Sequence, residues 1–172
     1  MKFTKTWQVA LGGVLAAGSL AVLWLACVVP SGQLGVTAVA GLFPVGAVLA
    51  AGRGAGLLCW AAASILGLLL LPDKGVALMY LVFLGLYPVV KSRLEQLKSR
   101  TVEWAGKLIY FNAALTLLWF AFRELFLPAL PEWMSAQVWV LYLAGNVIFI
   151  LYDIALSRLI GGFNARLRPK RM

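Results

Sequence analysis

The sequence predicts an all-α membrane protein: a bundle of six transmembrane helices with both termini on the cytoplasmic side. Three observations carry that expectation. Hydrophobic residues make up 63% of the 172 positions and charged residues only 12%, too little charge to cover the surface of a soluble domain of this size. The apolar residues fall into six runs of about the length needed to cross a hydrocarbon core ~30 Å thick at ~1.5 Å of rise per residue. Thirteen of the fifteen Lys and Arg residues fall on one side of those runs, the positive-inside bias of a chain with its amino terminus in the cytoplasm.

The spans are expected near 7–28, 34–51, 54–71, 76–91, 105–127 and 134–158. They form one membrane domain over 1–172, with no room for a soluble one. The runs lack period-2 alternation and are rich in Leu, Ala and Gly, so they read as helices, not barrel strands. The breaks between them are turn-forming: Pro30-Ser31-Gly32, Gly52-Arg53-Gly54, Pro72 to Gly75, and Pro128 to Pro131. The inner set of basic residues includes Lys2, Lys5, Arg53, Lys91, Arg93, Lys98, Arg100, Lys107 and Arg158; only Lys74 and Arg123 lie outside. The basic tail within 159–172 follows a span directly, which points to anionic lipid and away from nucleic acid.

Span 1 resembles a signal peptide, with Lys2 and Lys5 ahead of an apolar run ending near Cys27. Trp24 is unsuited to a lipoprotein cleavage box, so the run reads as a retained span. Small residues recur four apart along it, as Gly12/Ala16, Gly13/Ala17 and Ala17/Ala21. Such faces let helix backbones approach closely where lipid supplies no hydrophobic drive. They serve either packing inside the bundle or docking of another membrane subunit. Spans 2 and 3 continue the small-residue character with Gly35, Gly41, Gly46, Gly56 and Ala61 to Ala63.

Intramembrane polarity concentrates in spans 4–6. Tyr80 and Tyr87 lie on span 4, where Pro88 is expected to kink or end the helix. Asn112, Trp119, Arg123 and Glu124 lie on span 5; Trp139, Tyr142, Asn146 and Asp153 lie on span 6. Polar groups in a bilayer need a partner or a cavity. Asn112 and Asn146 sit near mid-span, where they can bond to each other as a structural clamp. Trp119 and Trp139 read as interfacial anchors or as ligand-stacking surfaces. Arg123 and Glu124, near the outer end, either orient a polar ligand or snorkel to the interface. Asp153 is either a helix-surface group near Arg158 or a proton or cation site. Between spans 4 and 5, Leu94, Leu97, Thr101 and Trp104 share one face, which predicts an amphipathic cytoplasmic helix over 91–104. Within it Glu95 pairs with Lys91 and Lys98, and Glu103 pairs with Lys107.

Histidine is absent, and Cys27 and Cys59 have neither metal-ligand nor redox spacing. With no phosphate-binding loop and no acidic metal motif, neither an enzyme nor a cofactor or metal site is expected.

A small-residue first span, a Pro-Ser-Gly break, glycine-rich spans 2 and 3 and polar spans 4–6 resemble the S components of energy-coupling factor transporters. The run Gly12-Gly13-Val14-Leu15-Ala16-Ala17 is similar to the Ala-xxx-Ala pattern with which that family's first helix meets its coupling subunit. The resemblance implies a substrate-binding subunit of a bacterial inner membrane, taking up a vitamin-like small molecule with a transmembrane coupling protein and cytoplasmic ATPases. Gly12, Gly13, Ala16 and Ala17 would dock the partner. Tyr80, Trp119, Arg123, Glu124, Trp139, Tyr142 and Asn146 would contact the ligand. The build is also similar to the cell-shape protein family MreD, which implies a non-transporting membrane scaffold instead.

Overall fold

The computed structural model describes residues 5–29, 32–97, 99–126 and 138–167, with side chains described up to 122 and up to 162 in the last two stretches. All regular structure among them is helical: α1 Lys5–Val28, α2 Gln33–Ala40, α3 Leu42–Ala51, α4 Arg53–Leu70, α5 Lys74–Met79, a π-helical segment Tyr80–Leu84, α6 Tyr87–Leu94, α7 Arg100–Phe126 and α8 Val138–Leu167. Six stretches are long and apolar enough to cross a membrane, with α2–α3 and α5–α6 each counting as one. The chain divides into two compact units, Met1–Phe126 and Leu127–Met172.

In the first unit the small residues make the core. The buried face of α1 is Gly12, Ala16, Ser19, Leu23 and Ala26, a four-three repeat that keeps one side of a helix against a neighbour. That neighbour is α4, which runs parallel to it. A Cβ at Gly12 would lie 3.3 Å from Ala55 O, and one at Gly67 would lie 3.9 Å from Leu23 Cδ1. Backbones this close need residues with almost no side chain, and α4 supplies buried Ala55, Gly56, Cys59 and Ala63. Gly12 and Ala16 are therefore used inside the unit, a correction to their expected place on a docking face. Gly13 and Ala17 are on the exposed side of the same helix, with nothing within 4 Å of a Cβ at Gly13.

Both ends of this unit are tied. Gly52 makes the α3–α4 turn alone, at a φ of 88° that favours glycine. Gln8 Nε2 donates to Ala51 O at 3.0 Å, closing the exposed end of α3. At the other end Asp73 caps α5, accepting from Gly75 N at 2.8 Å and Val76 N at 3.3 Å, and it also accepts from Gln33 Nε2. Lys74 Nζ donates to Leu68 O and Leu71 O, both at 2.8 Å, where α4 leaves its last carbonyls without intrahelical partners.

Two spans are broken, each by its proline. Pro44 has no N–H to give Ala40 O, and the second span kinks at Gly41 between α2 and α3. Ser19 Oγ donates to that freed carbonyl at 3.0 Å and lies 2.8 Å from Tyr80 Oη. Pro88 sits in the first turn of α6 and breaks the fourth span just ahead, after the π-helical segment. The sequence pattern predicts the second break and not the first.

The expected amphipathic helix over 91–104 does not form. α6 ends at Leu94, a turn covers 95–97, and α7 begins at Arg100, within the segment assigned to the amphipathic helix. The reason is packing between the two helix ends. Gly106 lies against Leu94, where a Cβ would be 2.8 Å from Leu94 Cδ2, and Lys91 and Lys107 are both buried. A shared apolar face favours a helix locally, and these nonlocal contacts override it.

Candidate functional site

At the π-helical segment, side chains from two other helices donate to main-chain carbonyls. Its wide register is set by Gly85 N, which donates to Tyr80 O at 2.8 Å in an i→i+5 bond. Leu81 O, which an α-helix would give to Gly85 N, accepts instead from Trp60 Nε1 of α4 at 2.9 Å. Val82 O accepts from the Tyr110 hydroxyl of α7 at 2.8 Å. Leu84 O, the carbonyl Pro88 cannot serve, faces Gly41, where a Cβ would lie 2.6 Å from it. Gly85 leaves room for two rings: a Cβ there would be 2.7 Å from Tyr80 Cε1 and 2.9 Å from Trp60 Cδ1. Carbonyls in a low-dielectric interior are costly without donors, and Leu81 O and Val82 O are met by side chains from α4 and α7.

From the π segment toward the α6–α7 turn runs an aromatic group. Tyr87 and Tyr110 stack with centroids 5.9 Å apart, and Phe83 meets Phe111 edge-on at 5.3 Å. Beneath it sit two buried lysines. Lys91 Nζ is 2.7 Å from Glu95 Oε1, and Lys107 Nζ is 2.7 Å from Glu103 Oε1 and 3.4 Å from Glu95 Oε1. Lys107 Nζ also lies 5.2 Å from the centre of the Trp104 ring. The i,i+4 pairs Lys91–Glu95 and Glu103–Lys107 follow the expected spacing. The Lys107–Glu95 link crosses between helices, which no local pattern reveals. Two buried cations matched to two carboxylates fasten α6 to α7, and removing one partner would leave an uncompensated charge.

The expected ligand residues are distributed as follows. Tyr80 is wholly buried in the core of the first unit, its hydroxyl beside Ser19. Trp119 is also buried, on α7. Arg123 and Glu124 lie in the last turns of α7, just past Phe122, whose φ of −131° and ψ of 25° mark a kink; their side chains are outside the described residues. On α8, Trp139 is 67% exposed, as an interfacial anchor or an open ligand contact would be. Tyr142 and Asn146 are half-buried and line one open strip of that helix with Trp139. Asn146 Nδ2 donates to Tyr142 O and Asn112 Nδ2 to Leu108 O, each at 2.8 Å within its own helix. Asp153 is buried, and its backbone carbonyl accepts from Ser157 Oγ at 2.9 Å. Among the described residues no three His, Cys, Asp or Glu side chains group as metal ligands.

Sequence reading missed Trp60, Tyr110 and Ser19 as the groups that serve broken backbone. Their one visible signal is a polar atom within an apolar run, each near the level of a proline-broken neighbour. No family model, curated protein or solved structure matches the chain.

Proposed function

We propose that the protein is a membrane-embedded, non-enzymatic binding subunit that works by docking against a second membrane protein. The specific form of the proposal is the substrate-binding subunit of an uptake system in a bacterial inner membrane, with a separate coupling protein and ATPases. The supporting observation is the division of α1 into two small-residue faces. One, Gly12 and Ala16, is consumed by α4, while Gly13 and Ala17 remain outward with no side chain over Gly13. A second membrane helix can approach that outward side to backbone distance. In this reading Trp119, Arg123 and Glu124 on α7 of the first unit and, taken by themselves, Trp139, Tyr142 and Asn146 along α8 of the second are the groups assigned to a small polar ligand, while Tyr80 is sealed beside Ser19.

A second reading, a non-transporting scaffold, has its own support. Trp60 and Tyr110 are spent on main-chain carbonyls and Tyr80 on Ser19, so polarity in spans 3–5 locks the bundle. Native mass spectrometry of the detergent-purified protein separates the two. A co-purified metabolite lost on Arg123→Ala supports the binding subunit. A bare mass, together with capture of cell-envelope assembly proteins and no ATPase, would replace it with the scaffold. Gly13→Leu with Ala17→Leu is expected to abolish partner capture in either case, and unchanged capture would remove α1 as the docking helix.

A further inference from the structure

The buried lysines have a consequence for the surface around them. Across 91–104 the sequence alternates basic and acidic groups, so any mixed-charge surface is compatible with it. The structure pairs the acidic groups with lysines and leaves the arginines outside. Lys91 and Lys107 are drawn inside, 1% and 2% exposed, and both carboxylates of the segment turn onto them at 2.7 Å. Glu95, whose side chain stays 37% exposed, and Glu103 are thus each paired from within. The exposed side chains of the turn include Arg93, Glu95, Leu97, Arg100 and Val102, with Leu97 44% and Val102 55% exposed, and of these Glu95 alone is acidic and is held by Lys91. Guanidinium groups flanked by exposed aliphatic side chains, at the end of two membrane-crossing helices, match the chemistry of a bilayer interface. The arginines meet phosphodiesters and the apolar groups enter the acyl boundary.

We propose that the α6–α7 turn is an anionic-phospholipid docking site, with Arg93 and Arg100 as its phosphate ligands and Leu97 and Val102 as its apolar contacts. The buried Lys–Glu cluster is the device that makes it cationic. It pairs the acidic side chains with buried ammonium groups, so that they compete less with lipid phosphate for the arginines. The occupant is phosphatidylglycerol-like lipid, chosen on charge complementarity. The site stands independently of the function proposed above, since it needs neither a transported ligand nor a coupling partner.

The test is lipid retention by the full chain. The protein is placed in nanodiscs of mixed phosphatidylglycerol and phosphatidylcholine, extracted, and the lipids that stay bound are identified by native mass spectrometry. Arg93→Gln with Arg100→Gln is expected to lower the phosphatidylglycerol preference roughly 25-fold, about fivefold for each basic group at an anionic surface. Lys74→Gln, at the opposite end of the unit, is expected to leave the preference within about twofold of the parent, as a group remote from the turn should. Leu97→Ser is expected to lower total lipid retention while keeping the headgroup preference. Melting in phosphatidylcholine alone checks that each variant is folded; where the double variant melts low, the single arginine variants carry the comparison. An unchanged preference in folded arginine variants, or an equal loss with Lys74→Gln, would overturn the proposal.

Discussion

The second and fourth spans meet one difficulty in two ways. Each carries a proline that cannot serve the carbonyl four residues before it, and each is broken just ahead of that proline. In the second span a kink at Gly41 suffices, and one hydroxyl, Ser19, reaches the freed Ala40 O. In the fourth, the helix widens into a π turn, and side chains from two other helices, Trp60 and Tyr110, donate to its carbonyls. The two breaks also touch, Gly41 against Leu84 O. One hydroxyl serves the second span and two aromatic donors reach across to the fourth, while Gly41 lets the two breaks approach to backbone distance. In a bilayer the choice depends on which neighbour stands opposite, because water is not there to help.

Substitutions break or sharpen this contrast. Gly41→Ala acts on both breaks at once, because its Cβ would meet backbone 2.6 Å away with no flexible side chain to yield. We expect a loss of about 3 kcal/mol, read as a lowered unfolding midpoint in detergent. Gly85→Ala acts on the π turn alone, pressing on the Tyr80 and Trp60 rings. About 2 kcal/mol is expected, together with a blue-shifted or broadened tryptophan emission as Trp60 is displaced. Trp60→Phe removes the donor and also shrinks the ring, at an expected cost of about 2 kcal/mol, while Tyr110→Phe keeps its ring and removes the donor, at about 1 kcal/mol. Faster amide exchange confined to 80–88 would place the effect in the π turn; exchange raised evenly over the unit would show that the donors have no special tie to it.

The finest comparison pairs Ser19→Ala with Pro44→Ala. Ser19→Ala alone leaves Ala40 O without its donor, at about 1 kcal/mol. Adding Pro44→Ala restores an N–H within reach of that carbonyl, so the double variant should recover most of the loss. No recovery would mean that Ser19 matters for Tyr80 and not for the break. Gly13→Ala, with open space at its Cβ, should change stability by less than about 0.5 kcal/mol.

Hydropathy and period placed six apolar helices because those signals are local and strong. Pro72 to Gly75 and Gly52 were visible as turns for the same reason. Most of what escaped was nonlocal. Gly12 and Gly13 have equal spacing partners, and only α4 decides which faces inward. The face shared by Leu94, Leu97, Thr101 and Trp104 is a sound helical signal, yet Leu94 packs on Gly106 and the segment turns. Pro44 carries the same local signal of a break as Pro88 and was passed over; what was nonlocal is its remedy, Ser19 reaching Ala40 O from α1. Candidate site residues were chosen by depth and chemistry. That choice cannot distinguish Tyr80, which is sealed beside Ser19, from Trp139, which is open.

The π turn also constrains the order in which this protein can be made. The 74–94 stretch by itself has no donor for Leu81 O outside its own backbone, so its stable form alone is the ordinary α register. Trp60 precedes it in the chain and is made first. Tyr110 follows it, and cannot reach Val82 O until α7 has been made and has packed. The final geometry of the middle of the bundle is therefore acquired late, after synthesis has passed it by.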